Sequence, residues 1–95
     1  AKTPGIDALF VGPADLRMSM GLAPGLNDAF LATIKRVADA AKRHNLAAGI
    51  DVAALEYMPT YAKLGFSLMT TGVDTSYIIE GGRVLSEQAR RASGV

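Results

Sequence analysis

The chain has 95 residues, 49% hydrophobic and 20% charged, with no cysteine and a formal net charge of +1. That balance excludes disordered and fibrous classes, no apolar run approaches the ~20 residues needed to cross a bilayer, and disulfides and thiolate metal sites are excluded outright. Lys35, Arg36, Lys42 and Arg43 are offset by Asp28 and Asp39, so no basic stripe points to nucleic acid. The length allows one domain, residues 1–95, with a modest core, and is too short for a closed eight-stranded barrel. The start at Ala1-Lys2-Thr3-Pro4 has neither an initiator Met nor a signal-peptide profile, which suggests a piece of a longer protein. The lack of cysteine fits a reducing, cytoplasmic setting.

In chain order, three short β-type runs each enter a polar or Gly-rich segment and then a helical pattern. That is the rhythm of consecutive βα units on a parallel sheet. The first run, Ala8-Leu9-Phe10-Val11, is apolar throughout, as a strand covered on both faces should be, and Gly12-Pro13 ends it. After a loop with Gly21, Pro24 and Gly25, Asn27 stands as N-cap of a helix running to about His44. Phe30, Leu31, Ile34, Val37, Ala38 and Ala41 form its inward stripe, and Lys42, Arg43 and His44 complement its C-terminal partial charge.

The second run, Leu46 to Ile50, is small-residued and delivers Asp51 at its end. A helix is expected from near Leu55 to Gly65, with Pro59 in its first turn, where a missing N–H does least harm. The third run, Ser67 to Thr71, stops at Gly72. Asp74 or Thr75 then caps a last helix bearing Ile78, Leu85, Ala89 and Ala92 on one face. Gly81-Gly82 weakens that helix by roughly 1 kcal/mol per Gly relative to Ala, which implies either a close backbone contact or a break.

The chemistry concentrates at Gly12-Pro13-Ala14-Asp15. This segment follows the C-terminal end of a buried strand, where parallel α/β folds and barrels place their sites. Gly12 permits close backbone approach, Pro13 fixes its own φ, and the amides of Ala14 and Asp15 are then presentable to a carboxylate or phosphate. The Asp15 carboxylate is a hard oxygen ligand suited to Mg²⁺ or Mn²⁺. The plainer alternative is a turn that closes the strand, with Asp15 capping a short helix.

The run Gly5-Ile6-Asp7-Ala8-Leu9-Phe10-Val11-Gly12-Pro13-Ala14-Asp15-Leu16, followed by Ser19-Met20-Gly21, resembles the HpcH/HpaI aldolase family. The resemblance continues through Ala48-Gly49-Ile50, Tyr61, Leu64-Gly65-Phe66 and Gly72-Val73-Asp74. It implies an α/β fold, the C-terminal three βα units (sixth to eighth) of a (β/α)₈ TIM barrel of the phosphoenolpyruvate/pyruvate-binding type, incomplete as given. It also implies a class II pyruvate aldolase: a lyase that cleaves a 4-hydroxy-2-oxo acid reversibly to pyruvate and an aldehyde with a divalent cation, Mg²⁺ or Mn²⁺ or another. By the same resemblance Asp15 is a metal ligand, and the backbone at Gly12, Pro13, Ala14 and Asp15 receives the pyruvate carboxylate. A Glu ligand and a carbonyl-binding Arg would lie upstream, leaving this chain with half a site and inactive alone. Relatives assemble as oligomers through the last helix, which makes the segment from Tyr77 onward a candidate homo-oligomer interface.

Two residues depart from the family pattern. Arg17 replaces a small residue, usually Ser, and Asp51 stands where an apolar or small residue is common. Asp51 is a candidate substrate-binding residue that would favour a hydroxylated or cationic aldehyde; the alternative is a helix N-cap or solvated turn. His44, the only histidine, reads as a dipole-complementing residue, and no general base is assignable. Thr70-Thr71-Gly72-Val73-Asp74 suits either an anion-binding turn or strand-end and cap chemistry. Tyr57, Tyr61 and Tyr77 are spaced as packing residues, and Met18 and Met20 as packing or pocket wall. Two rival functions stand beside the aldolase: a non-catalytic assembly module, and a citrate-lyase-like lyase acting on acyl-CoA.

Overall fold

The computed structural model of the chain describes residues 1–94. Strand β1 (Ala8–Val11) leads into α1 (Pro13–Ser19) and α2 (Asp28–Arg43); β2 (Ala47–Val52) leads through a 3₁₀ turn (Leu55–Tyr57) into α3 (Met58–Leu64); β3 (Leu68–Thr71) leads into α4 (Asp74–Ser93). The three strands form one parallel sheet in the order β1-β2-β3. This is the βα rhythm expected from the apolar runs.

One face of the sheet is covered. Val11, Ala48, Ile50 and Val52 pack against Phe30, Ile34, Ala38 and Ala41 of α2 and against Tyr61 and Phe66. Phe30, Ile34, Ile50 and Val52 are wholly enclosed, and each such side chain contributes about 1.5–3 kcal/mol through the surface it removes from water. The α2 stripe read from its helical period is therefore the core-facing one. Tyr61 bridges the edges of two other rings, with centroids 6.3 Å from Tyr57 and 6.2 Å from Phe66.

No described helix lies on the other face. Side chains alternate along a strand, so the register sets Ala8 beside Ala47, then Phe10 beside Gly49 and Leu68, then Asp51 beside Thr70 on this face. Phe10 is 50% and Leu68 47% exposed. The expectation that β1 is covered on both faces thus holds on one face of this chain.

Several local expectations shift. β2 runs on to Val52, because Asp51 and Val52 pair with Thr70 and Thr71 of β3; Asp51 is a strand residue and neither a turn nor a helix cap. The helix expected from Leu55 starts at Met58, which keeps Pro59 in its first turn, and the residues before it form the 3₁₀ turn. Asn27 is the N-cap of α2 by backbone geometry, but its side chain donates to the Ala23 carbonyl (3.0 Å) rather than capping. Val73 rather than Asp74 or Thr75 precedes α4, and the Asp74 carboxylate instead accepts from the Thr75 amide (2.8 Å).

α4 runs unbroken through Gly81 and Gly82, and a Cβ at either would meet nothing within 4 Å. The helix stands off the sheet, tied near its first turn by the Tyr77 hydroxyl, which donates to the Thr71 carbonyl (3.1 Å). Its Tyr77, Ile78, Ile79 and Leu85 are exposed. The radius of gyration of 18.0 Å exceeds the ~12 Å of a compact chain this long, and α4 accounts for the excess.

Candidate functional site

The C-terminal ends of the strands converge on one rim. Gly12 is extended (φ −93°, ψ 99°) and serves as N-cap of α1; Pro13, buried, opens the helix. Asp15 thus sits in the first turn of α1 rather than capping it, and it is exposed. Its carboxylate folds back over Gly12, where Oδ2 lies 3.4 Å from the place a Cβ would take. A Cβ at position 12 would meet that carboxylate in ordinary van der Waals contact. The Leu16 amide donates to the Gly12 carbonyl (2.9 Å), whereas helix geometry leaves the Ala14 and Asp15 amides no intrahelical acceptor.

Continuing the β1–β2 register by one residue sets Gly12 beside Asp51, one strand spacing away, about 4.8 Å. Asp51 is half-buried, and its Oδ1 accepts the Thr70 hydroxyl (2.8 Å). Pro13, Ala14, Arg17, Asp51, Tyr57 and Tyr61 line a recess of about 70 Å³ at this rim. Gly12, Pro13, Ala14, Asp15 and Asp51 therefore lie at one end of the sheet.

Arg17 is directed into the body of the fold. Its Nε donates to the Gly25 carbonyl (2.8 Å), its guanidinium carbon stands 4.0 Å above the Phe30 ring, and it reaches the Tyr61 hydroxyl at 3.5 Å. It joins α1, the loop before α2, α2 itself and α3. Burial pushes the Tyr61 hydroxyl above its ordinary value near 10, with Arg17 pulling the other way.

Among the described residues no three His, Cys, Asp or Glu side chains group as a metal site. Asp15 offers one hard oxygen ligand, which fits one coordination position of Mg²⁺ or Mn²⁺ and leaves the others to further groups. His44 ends α2, exposed, with its backbone amide on the Ala40 and Ala41 carbonyls, in keeping with a helix-end role. A larger open cleft lies at the opposite ends of the strands, between α2 and α3, with Lys35, Lys42 and Lys63 on its walls; Lys35 is engaged with Asp39 at 2.7 Å.

No protein-family model matches the chain. It is 32% identical over 91 residues to a hydroxypyruvate/pyruvate aldolase of Paraburkholderia phytofirmans, covering 95% of this chain and 35% of that protein. A 4-hydroxy-2-oxo-heptane-1,7-dioate aldolase of Shigella flexneri is 30% identical over 96 residues, covering 96% of this chain and 34% of that protein. The crystal structure of an HpcH/HpaI aldolase/citrate lyase family protein from Burkholderia cenocepacia superposes with a TM-score of 0.77 at 34% identity, over 93% of this chain and 35% of that one. Over most of its length the chain is similar in sequence and fold to proteins of the HpcH/HpaI aldolase family. It spans about a third of the length of the curated relatives it matches.

The three βα units match part of a TIM-barrel-like aldolase fold. On the helix-free face the register sets Phe10, Gly49 and Leu68 in one row across the sheet, with Asp51 and Thr70 in the next. Sequence reasoning missed Thr70 as the partner of Asp51 because the two are adjacent only through strand register. It also missed the inward anchoring of Arg17, for which an Arg in a Gly- and Pro-rich neighbourhood with Phe30 downstream carries no distinctive signal.

Proposed function

We propose that the protein carrying this chain is a metal-dependent lyase that cleaves a 4-hydroxy-2-oxo acid reversibly to pyruvate and an aldehyde, with residues 1–95 forming the sixth to eighth βα units of its single barrel domain. One observation carries the reading. The exposed Asp15 carboxylate lies over Gly12 at a strand's C-terminal end, in a segment alike in sequence and fold to HpcH/HpaI aldolases.

A divalent cation such as Mg²⁺ or Mn²⁺, when bound, supplies Lewis-acid polarisation of the 2-oxo group. Asp15 contributes a carboxylate ligand. Gly12, with no side chain, and Pro13, with no N–H, keep the rim open beside it. The Ala14 and Asp15 amides, lacking intrahelical acceptors, orient the carboxylate of the 2-oxo acid. Asp51 meets the substrate on the neighbouring strand. The second acidic ligand, a Glu, and the Arg at the ketone oxygen come from upstream of Ala1, so the isolated chain is inactive. The exposed Ile78, Ile79 and Leu85 of α4 support a homo-oligomer assembled through that helix. No described helix is long and apolar enough to cross a membrane, and with a cysteine-free sequence a cytoplasmic location belongs to the same reading.

The test uses the protein as its gene encodes it. After treatment with chelator, pyruvate release from 4-hydroxy-2-oxo acids should return when Mg²⁺ or Mn²⁺ is resupplied. Asp15→Asn should lower the metal-dependent rate by at least about a hundredfold, beyond what outer-shell changes cost. Full activity in chelator, or wild-type behaviour of Asp15→Asn, overturns the assignment.

A further inference from the structure

We infer that Asp51, oriented by Thr70, makes this site select an aldehyde that bears a hydroxyl group close to its carbonyl, over plain and carboxylate-bearing aldehydes; this rests on the aldolase reading above. The helix-free face is built in rows. Phe10, Gly49 and Leu68 form an apolar floor, with the Phe10 ring lying where a Cβ of Gly49 would be. The next row toward the rim is Gly12, Asp51 and Thr70. Asp51 is thus a lone carboxylate placed one layer above an apolar floor and one strand away from the carboxylate that lies over Gly12.

A carboxylate only accepts hydrogen bonds. Thr70 occupies Oδ1 at 2.8 Å, which fixes the plane of the group and leaves Oδ2 with acceptor capacity at the rim. The occupant must supply a donor. With the 2-oxo acid held at the Ala14 and Asp15 amides in the aldolase reading, Asp51, one strand away, is left to the aldehyde's side of the reaction. A carboxylate-tailed aldehyde, the kind that retro-aldol cleavage of 4-hydroxy-2-oxoheptane-1,7-dioate would release, meets repulsion from Asp51 directly. A hydrogen-bonding site of this kind discriminates more strongly than an apolar one, because a missing hydroxyl leaves its polar group unpaired.

The test compares glyceraldehyde, propanal and 4-oxobutanoate as acceptors for pyruvate in the protein as its gene encodes it, supplied with Mg²⁺. Wild type should favour glyceraldehyde over propanal in kcat/KM by about tenfold or more. Asp51→Asn and Asp51→Leu should bring that ratio towards one and raise the relative rate on 4-oxobutanoate. Thr70→Val should lower the ratio part-way, through KM for glyceraldehyde, because it removes only the orienting hydroxyl. An unchanged ratio in the Asp51 variants, or a wild type that prefers propanal or 4-oxobutanoate, overturns this inference and leaves the aldolase reading standing. Wild type without metal-dependent condensation on any acceptor overturns both together.

Discussion

Gly49 carries no side chain because Phe10 and Leu68 occupy the space from the strands on either side. Gly49→Ala is expected to push the Phe10 ring aside at a cost of about 1–3 kcal/mol, read as a lower melting temperature. Phe10→Ala in the same chain should recover part of that loss in a double-mutant cycle. Arg17 acts in the opposite sense, as a cation stacked on Phe30 and bonded to the Gly25 carbonyl. Arg17→Met should cost about 1–2 kcal/mol of stability, since the methionine keeps some packing and loses the donors. Tyr61 gives a pH signature. Burial raises its folded-state value above the unfolded one near 10, so the unfolded chain ionises first: the contribution to stability is fully present below about 10 and is lost as pH rises from there through the raised folded value. Melting temperatures from pH 8 to 11.5 should show that fall in the native chain and a weaker one in Tyr61→Phe.

At the scale of elements, helix periodicity did most of what the sequence permitted. The α2 stripe was legible because Phe30, Ile34, Ala38 and Ala41 repeat at helical spacing and all four are buried. The start of α3 was less so, because Pro59 tolerates any position in a first turn and the 3₁₀ turn before it carries no distinct pattern. For α4, a Gly pair reads equally as a break or a contact, and the backbone continues through it with open space at both positions. Gly81→Ala and Gly82→Ala should therefore each increase helix stability by up to about 1 kcal/mol, measured by thermal circular dichroism of the chain. A loss instead of a gain would mean that another backbone packs against this point.

For the whole molecule, the helix-free sheet face and the stand-off of α4 leave Phe10, Leu68, Ile78, Ile79 and Leu85 in contact with water. A chain with this much exposed apolar surface and two open sheet edges should self-associate when produced alone. Sedimentation velocity of residues 1–95 is expected to show species larger than a monomer, and a combined Ile78→Lys and Ile79→Lys variant should shift the distribution towards the monomer. A monodisperse native monomer with a cooperative melt would refute this.

The order of strands and helices, the parallel βα class, the α2 core stripe and the Gly12–Asp15 segment were all set by local residue pattern, since period, Gly and Pro placement act within a few residues of one another. The pairing of Asp51 with Thr70 depended on strand register, across 19 residues of sequence. Arg17 was open to a role at the mouth until α1, α2 and α3 came together around it. Likewise only the fold placed Gly12 beside Asp51, because a residue's neighbours across a sheet are chosen by packing and hydrogen-bond register, which no short stretch of sequence encodes.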